Sequence, residues 1–380
     1  MKFSSEKKRI GINLLFINPK LLGGSVVYSK KLIEEISNID KTNYYYIYIN
    51  KESEKVKFNI GSNFKIRVLN FNYSSVYLRY FWEQFILPFY LFKDKIDLIH
   101  SPGYVTPILS PVKKVVSILD INYKGHSNNM KFTKRILLGT MVNLSARVSK
   151  KIITISEFSK KQIIKHTNSK AHKINVTLLS GSSDLNISNN ITEELIKSKY
   201  QIDTDYIICF SGSSPHKNIV KLIESIKDII INRSDLKLVL VGYVNDKTFD
   251  IIKKLKLEEC VISTGFVPDE DVNPLISYAK VFIFPSLYEG FGIPLLDAQS
   301  CGVPVVSSNA GSLPEVGGSE TYYFDPKSEI DIYNTVSKVI SLVDNKKVND
   351  LINFGFTNRS KFSWRKTAKE TLDVYKKILN

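Results

Sequence analysis

Glu289-Gly-Phe-Gly-Ile-Pro-Leu-Leu-Asp297 sets two carboxylates eight positions apart across a glycine-rich turn that leads into a short apolar helix. Gly290 and Gly292 allow turn conformations closed to larger residues, so the backbone from Gly290 through Phe291, Gly292 and Ile293 can aim successive amides at one point beside a helix start. Pro294 fits the first helical turn, where a missing N–H is harmless, and Gly302 is placed to end the helix. Phosphates suit the amide end. Glu289 can accept hydrogen bonds from sugar hydroxyls, and Asp297, about two turns further on, can reach the hydroxyls of a ribose. These groups together suit a nucleotide sugar.

The elements around the motif are those that phosphate recognition requires. An apolar strand over 281–284 precedes it and a second over 303–306 follows it, which makes a strand-loop-helix-strand unit. A Gly23-Gly24 pair, after a first strand over 10–17 and before a helix over 26–36, can likewise bring backbone close to a diphosphate. Apolar strands alternate with amphipathic helices along the whole chain. The first half offers strands over 10–17, 44–49, 65–69, 98–100, 115–119, 152–155 and 175–178, and the second over 206–210, 236–241, 261–264, 281–284, 303–306 and 321–324. That alternation predicts an α/β protein with parallel sheets covered by helices. The polar stretch 180–205, broken by Gly, Ser and Asn, reads as the linker, and Ser363 reads as the N-cap of a last helix.

At 380 residues the chain has room for two domains with cores of their own, and 43% hydrophobic with 24% charged residues excludes a disordered chain. Cys209, Cys260 and Cys301 lie far apart without metal-ligand spacing and fit reduced thiols. The net charge of +16 is unevenly placed: residues 1–190 hold 30 Lys and Arg against 12 Asp and Glu, and the rest hold 23 against 25. Such a basic half attracts anionic lipid headgroups or a lipid pyrophosphate, or is a solvated face. Nucleic acid is set aside because no recognition motif interleaves aromatics with the charge. No run approaches the roughly 18–20 apolar residues that span a bilayer, and the N-terminus lacks an apolar core followed by a small-residue cleavage site. The expected location is cytoplasmic, peripheral at the inner face of the membrane.

The run FPSLYEGFGIPLLDAQSCGVPVVSSNAGSLPEVGG, Phe284 to Gly318, resembles the retaining glycosyltransferases of the large bacterial family 4, group 1, which includes polysaccharide mannosyltransferases. Trp82-Glu83-Gln84 with Leu87-Pro88, and Asp97-Leu-Ile-His100-Ser101-Pro102, are similar to the mannosyltransferase branch. The resemblance implies the GT-B fold: two Rossmann-like doubly wound domains facing a cleft, with a C-terminal helix crossing back to the first. The expected domains are 1–185 with 363–380, on the acceptor side, and 186–362, which binds the nucleotide sugar.

The same resemblance implies roles. Lys217, in the loop Gly212-Ser213-Ser214-Pro-His216-Lys217, neutralises the donor diphosphate as the leaving group departs, while Ser213 and Ser214 stand where many relatives carry an Arg. Phe266 and Val267 match a segment that contacts the nucleotide base. Family members usually carry Glu where this chain has Asp297, and a His-Asp pair where it has Leu119-Asp120. Asp120 is expected to orient a sugar hydroxyl or the acceptor. His100, at the end of a strand, reads as a structural histidine or as a residue that meets the acceptor or the loop at Gly24, and His126 is a further candidate on the acceptor side. Without a DxD-like pair, no obligatory metal or other cofactor is expected. The implied reaction is retaining transfer of a hexose, GDP-mannose being the favoured donor, to a lipid-linked or surface polysaccharide acceptor at an anionic membrane surface. A UDP-sugar donor and a non-catalytic sugar-binding subunit are the alternatives.

Overall fold

In the computed structural model, which describes residues 7–18, 23–73, 75–124, 132–182 and 191–380, the apolar runs of the first half pair as a seven-stranded parallel sheet. Its strands are β1 (Arg9–Asn13), β2 (Tyr44–Asn50), β3 (Phe64–Leu69), β4 (Leu98–Ser101), β5 (Lys113–Ser117), β6 (Lys151–Thr154) and β7 (Ile174–Val176), in the order β3-β2-β1-β4-β5-β6-β7. The central strands β4 and β5 are buried on both sides, so their polar residues His100, Ser101 and Ser117 are buried with their apolar ones.

Alternation along each strand assigns the helices to faces. His100 and Ser117 look one way, toward α1 (Gly24–Ile39) and the C-terminal α14 (Trp364–Leu379): Tyr28 of α1 bonds Ser117, and Tyr375 of α14 bonds His100. Ile99 and Val116 look the other way. Ile99 packs with Leu87 and Leu91 of α3 (Leu87–Lys93), and Val116 with Val142 and Ala146 of α4 (Phe132–Val148) and Ile163 of α5 (Glu157–Thr167). α2 (Val76–Phe81) runs into α3 through a π-helical turn, Trp82–Ile86.

The second half forms a six-stranded parallel sheet from β8 (Asp205–Phe210), β9 (Leu236–Val241), β10 (Val261–Gly265), β11 (Val281–Phe284), β12 (Val305–Ser308) and β13 (Tyr322–Phe324), in the order β10-β9-β8-β11-β12-β13. Helices α7 (Ile219–Ile231), α8 (Asp246–Lys254) and α12 (Glu329–Asp344) supply one core. α6 (Glu193–Lys199), α9 (Asp269–Ser277), α10 (Ile293–Ser300) and α11 (Leu313–Gly317) supply the other. α13 (Asn349–Arg359) packs on α10, where Gly355 meets Gln299. Both sheets are doubly wound.

Among the described residues two compact units result: those within 7–124, 132–179 and 363–380 in one, those within 180–362 in the other. The change falls at Leu179 and Ser180, a few residues before 185. Ser363 caps α14, its hydroxyl accepting from the Lys366 amide at 3.0 Å, and the helix is held to the first unit by Lys113 Nζ on the Ile378 carbonyl at 2.8 Å.

β5 lies two residues earlier than expected and β7 ends two residues sooner, at Val176; for β1 and β12 the reason for the departure is visible. β1 stops at Asn13, not at 17, because the Asn13 side chain takes the Leu15 amide and Ile17 turns back onto the Leu14 carbonyl. β12 begins at Val305 because Pro304 has no N–H for the ladder. Among the described residues, no helix is long and apolar enough to cross a membrane.

Candidate functional site

In a doubly wound sheet, ligands bind beyond the carboxyl ends of the strands where the order reverses. In the second unit that point lies between β8 and β11, and the loops after these two strands carry Lys217 and Glu289. The β8 loop closes through a 3₁₀ turn, Pro215–Lys217, and Asn218 turns left-handed with φ 61° to start α7. Its side chain donates to the carbonyls of Pro285, at 3.1 Å, and Pro326, at 2.8 Å. The Leu287 amide donates to the His216 carbonyl at 2.7 Å. The two loops are thus latched to each other by the Asn218 amide side chain and a backbone bond, independently of the charges they present.

Lys217 Nζ and Glu289 Oε1 meet at 2.9 Å, and Ser286 Oγ donates to the same oxygen at 2.8 Å. The ammonium also lies 5.3 Å from the centre of the Phe284 ring. Both side chains are partly accessible, 24% for Lys217 and 16% for Glu289, so a ligand can reach the pair. An ammonium has three donors, and the bond to Glu289 takes one.

Gly311 and Ser312, to which sequence reasoning assigned no role, hold Glu289 in place. Ser312 Oγ donates to the Glu289 and Phe291 carbonyls, at 3.0 and 2.9 Å, and its amide to the Glu289 carbonyl at 3.2 Å. Gly311 has φ +66°, and a Cβ there would sit 2.6 Å from the Glu289 carbonyl oxygen, so only glycine lets this chain pass. The available signal was a Gly-Ser pair just after a strand. Gly292, φ +109°, turns the chain into α10, where Ile293 and Pro294 open the helix, and Phe291 is buried edge-on against Phe362. Gly302, φ +71°, follows the end of α10.

Asp297 is committed elsewhere. Its carboxylate accepts from the Ser182 amide at 2.5 Å and the Ser182 hydroxyl at 2.9 Å, one on each oxygen. A Cβ at Gly181 would lie 2.6 Å from Asp297 Oδ1. Burial pushes its pKa up to about 6 against the Ser182 bonds and the Arg359 charge, which pull it down. Where the spacing aims this residue at a ribose, the structure sets it against the segment that opens the second unit.

Beside the β8 loop, the ends of β8, β9 and β10 frame an apolar pocket of about 530 Å³ that includes Phe210, Val241, Gly242, Tyr243 and Phe266. Phe266 is 87% exposed and presents its ring; Val267 is buried behind it. A planar aromatic ring could stack there. Gly212 lies against the Lys217 stem, where an added Cβ would sit 3.8 Å from Cγ. Ser214 accepts the Lys217 amide at 3.1 Å, and Ser213 is exposed.

The first-half candidates do not converge in the same way. Of its two readings His100 takes the structural one: it lies within β4, fully buried, with Nδ1 on the Tyr375 hydroxyl at 2.6 Å and Nε2 on Ser117 Oγ at 2.7 Å. Burial drives its pKa down to about 3, so it stays neutral, and both ring nitrogens serve the packing of α14 instead of an acceptor or the Gly24 loop. Gly23 caps α1 in an extended conformation, and among the described residues neither it nor Gly24 has a neighbour within reach of a Cβ. Asp120, just beyond β5, accepts from the Tyr104 hydroxyl at 3.3 Å and the Asn122 amide at 3.1 Å. His126 lies outside the described residues. Among the described residues, no three His, Cys, Asp or Glu side chains gather as a metal site.

Residues 192–356 match the family model for glycosyl transferases group 1. The chain is 35% identical over 234 residues to O-antigen chain mannosyltransferase B of Escherichia coli, an alignment covering 60% of this chain and 61% of that protein. It therefore spans less than two thirds of that relative. Among solved structures it is similar to a sucrose-phosphate synthase from Thermosynechococcus elongatus, with TM-score 0.75 and 16% identity over 98% of this chain and 99% of that one. It is also similar to WaaG, a glycosyltransferase involved in lipopolysaccharide biosynthesis, with TM-score 0.69 and 13% identity over 96% and 99%. At these identities the likeness shows the fold, which is GT-B.

Proposed function

We propose that this chain, whose residues 192–356 belong to the group 1 glycosyl transferases, moves a hexose from a nucleotide-diphosphate sugar to a glycan acceptor with retention of configuration. The observation that carries the reading is the accessible Lys217–Glu289 pair, 2.9 Å apart, on the two loops at the switch point of the second sheet. Mannose from GDP-mannose is the favoured donor, supported by the likeness to O-antigen chain mannosyltransferase B. The acceptor is a lipid-linked or surface polysaccharide glycan, met by a cytoplasmic chain at the inner face of the membrane.

The chemistry needs little from the protein beyond positioned charge. An acceptor hydroxyl oxygen bonds to the anomeric carbon on the face from which the nucleoside diphosphate leaves. The bond from that carbon to the phosphate oxygen breaks, its electrons stay on the diphosphate, and the diphosphate takes the hydroxyl proton. Lys217 turns from Glu289 to the diphosphate and meets the growing negative charge. Glu289, freed of its partner, accepts the sugar hydroxyls and faces the positive charge developing on the ring. Until the donor arrives each charge compensates the other, so neither is left without a partner. The base stacks in the pocket beside Phe266, the amides at the start of α10 point at phosphate, and Asp120 orients the transferred sugar or the acceptor. In this reading the cation at the diphosphate is Lys217 and no metal is obligatory.

The test is a transfer and hydrolysis screen across GDP- and UDP-sugars with the wild-type chain, Lys217→Ala and Glu289→Ala. Turnover of GDP-mannose that both variants lose is the expected result. Turnover of a UDP-sugar alone reassigns the donor, and donor binding without any turnover makes the chain a sugar-binding subunit. Undiminished turnover in both variants overturns the site.

A further inference from the structure

Five aromatic side chains stand on the outside of the helical run α2–α3: Tyr77, Phe81, Phe85, Phe89 and Phe92, the last two 72% and 85% exposed. A solvated helix carries polar residues at such positions. They recur at steps of four, four, four and three residues. On a regular helix each four-residue step overshoots by about 40°. The wider π-helical turn Trp82–Ile86 takes back part of that drift and keeps the rings in line, so that Phe81 and Phe85 lie 5.4 Å apart. The opposite side of the run, Leu87 and Leu91, is already in the core.

The apolar surface continues onto α4. Gln84 holds the 102–112 loop through the Thr106 carbonyl at 3.1 Å and the Ile108 amide at 2.7 Å, and the Thr106 amide donates to Ser145 of α4 at 3.1 Å. Leu109 projects from that loop, and α4 exposes Phe132 and Ile136 at its start and Leu144 and Val148 at its end, the two pairs about 120° apart around the helix. The charge on this surface has one sign. α4 contains no Asp or Glu, Lys93, Lys95, Lys134 and Arg147 are exposed, and the Arg135 guanidinium lies 5.5 Å from the Phe132 ring. At the end of α4, Leu144 and Arg147 share a pocket of about 550 Å³ with Lys170, His172 and Lys173.

We propose that the outer face of α2, α3 and α4 docks on an anionic lipid bilayer, the aromatic rings entering the boundary between headgroups and acyl chains and the basic side chains meeting lipid phosphates. A row of aromatics flanked by Lys and Arg is the composition of an interfacial helix. A second copy of the chain does not fit, since a two-fold contact would set these cations against themselves. The proposal rests on the reading that the acceptor is lipid-linked, and names the surface that brings the chain to it.

The test is vesicle flotation of the full chain with phosphatidylglycerol in phosphatidylcholine and with phosphatidylcholine alone, beside donor hydrolysis in solution. The wild type is expected to float with the anionic vesicles and to be released by salt. Phe89→Glu with Phe92→Glu, and separately Lys134→Glu with Arg147→Glu, are each expected to weaken binding by about tenfold or more while hydrolysis is unchanged. Wild-type chain that stays unbound, variants that float like the wild type, or an aromatic variant that changes the sedimenting mass and not the flotation would overturn the proposal. Lys217→Ala, expected to lose turnover but keep vesicle binding, separates failure of the docking surface from failure of the transfer site.

Discussion

The two sheets share a topology and use its switch point differently. In the second unit, the loops after β8 and β11 present Lys217 and Glu289, both partly accessible. In the first unit, the described residues after β1 and β4 form a buried polar network. Asn13 Nδ2 donates to Glu83 Oε1 at 3.1 Å and to Ser101 Oγ at 3.4 Å, and Ser101 donates to Thr106 at 3.0 Å. Arg79 faces Glu83 at 3.5 Å, and burial raises the Glu83 pKa. Both places hold a cation and a carboxylate, yet one pair can exchange its partner for a ligand and the other is sealed into the core. Topology decides where a site can be, and exposure decides whether there is one.

That contrast breaks down if the two pairs respond alike to substitution. The largest expected effect is on catalysis: Lys217→Ala or Glu289→Ala should lower turnover on the order of 10²–10³-fold with little change in melting temperature. In the first unit the effect should be on stability instead. Glu83→Ala leaves Arg79 buried without its counter-ion and is expected to lose about 3–5 kcal/mol in urea unfolding. Glu83→Ala with Arg79→Met should recover part of that loss, which Glu83→Ala alone cannot show.

Asp297 gives a pH signature. Its folded pKa, about 6, lies above the ordinary 3.8, so the folded chain holds the proton more tightly than the unfolded one. Its contribution is full below pH 4 and is lost as pH rises toward 6, on the order of 3 kcal/mol. Asp297→Asn should flatten that slope in unfolding midpoints measured from pH 4 to 7. The smallest effect belongs to Tyr375→Phe, which strips His100 of one buried partner and should cost about 1–3 kcal/mol with turnover unchanged. A fall in kcat instead would return His100 to the site.

Much of the fold was legible because parallel strands buried on both faces are apolar throughout and the helices between them are amphipathic. Glu289 was read from its glycine-rich turn and Lys217 from the family resemblance, and the fold brings the two within 2.9 Å. For His100 the sequence left two readings open, because position near a strand end says nothing about which face a side chain takes. Its partners are Tyr375 and Ser117, one of them 275 residues away in sequence. For Asp297, spacing on a helix gives its direction but not what already occupies that direction, here Ser182.

The amino-acid sequence alone determined the alternation of strand and helix, the basic first half and the phosphate-suited turn at Glu289. These depend on local preferences and composition, which act within a few residues. Tertiary structure decided the pairing of Lys217 with Glu289, the Ser312 clamp behind it, the capture of Asp297 by Ser182 and the alignment of five aromatic rings on one helical face. Each of these depends on distances between segments remote in sequence, or on a single widened helical turn, and such distances exist only once the chain has packed.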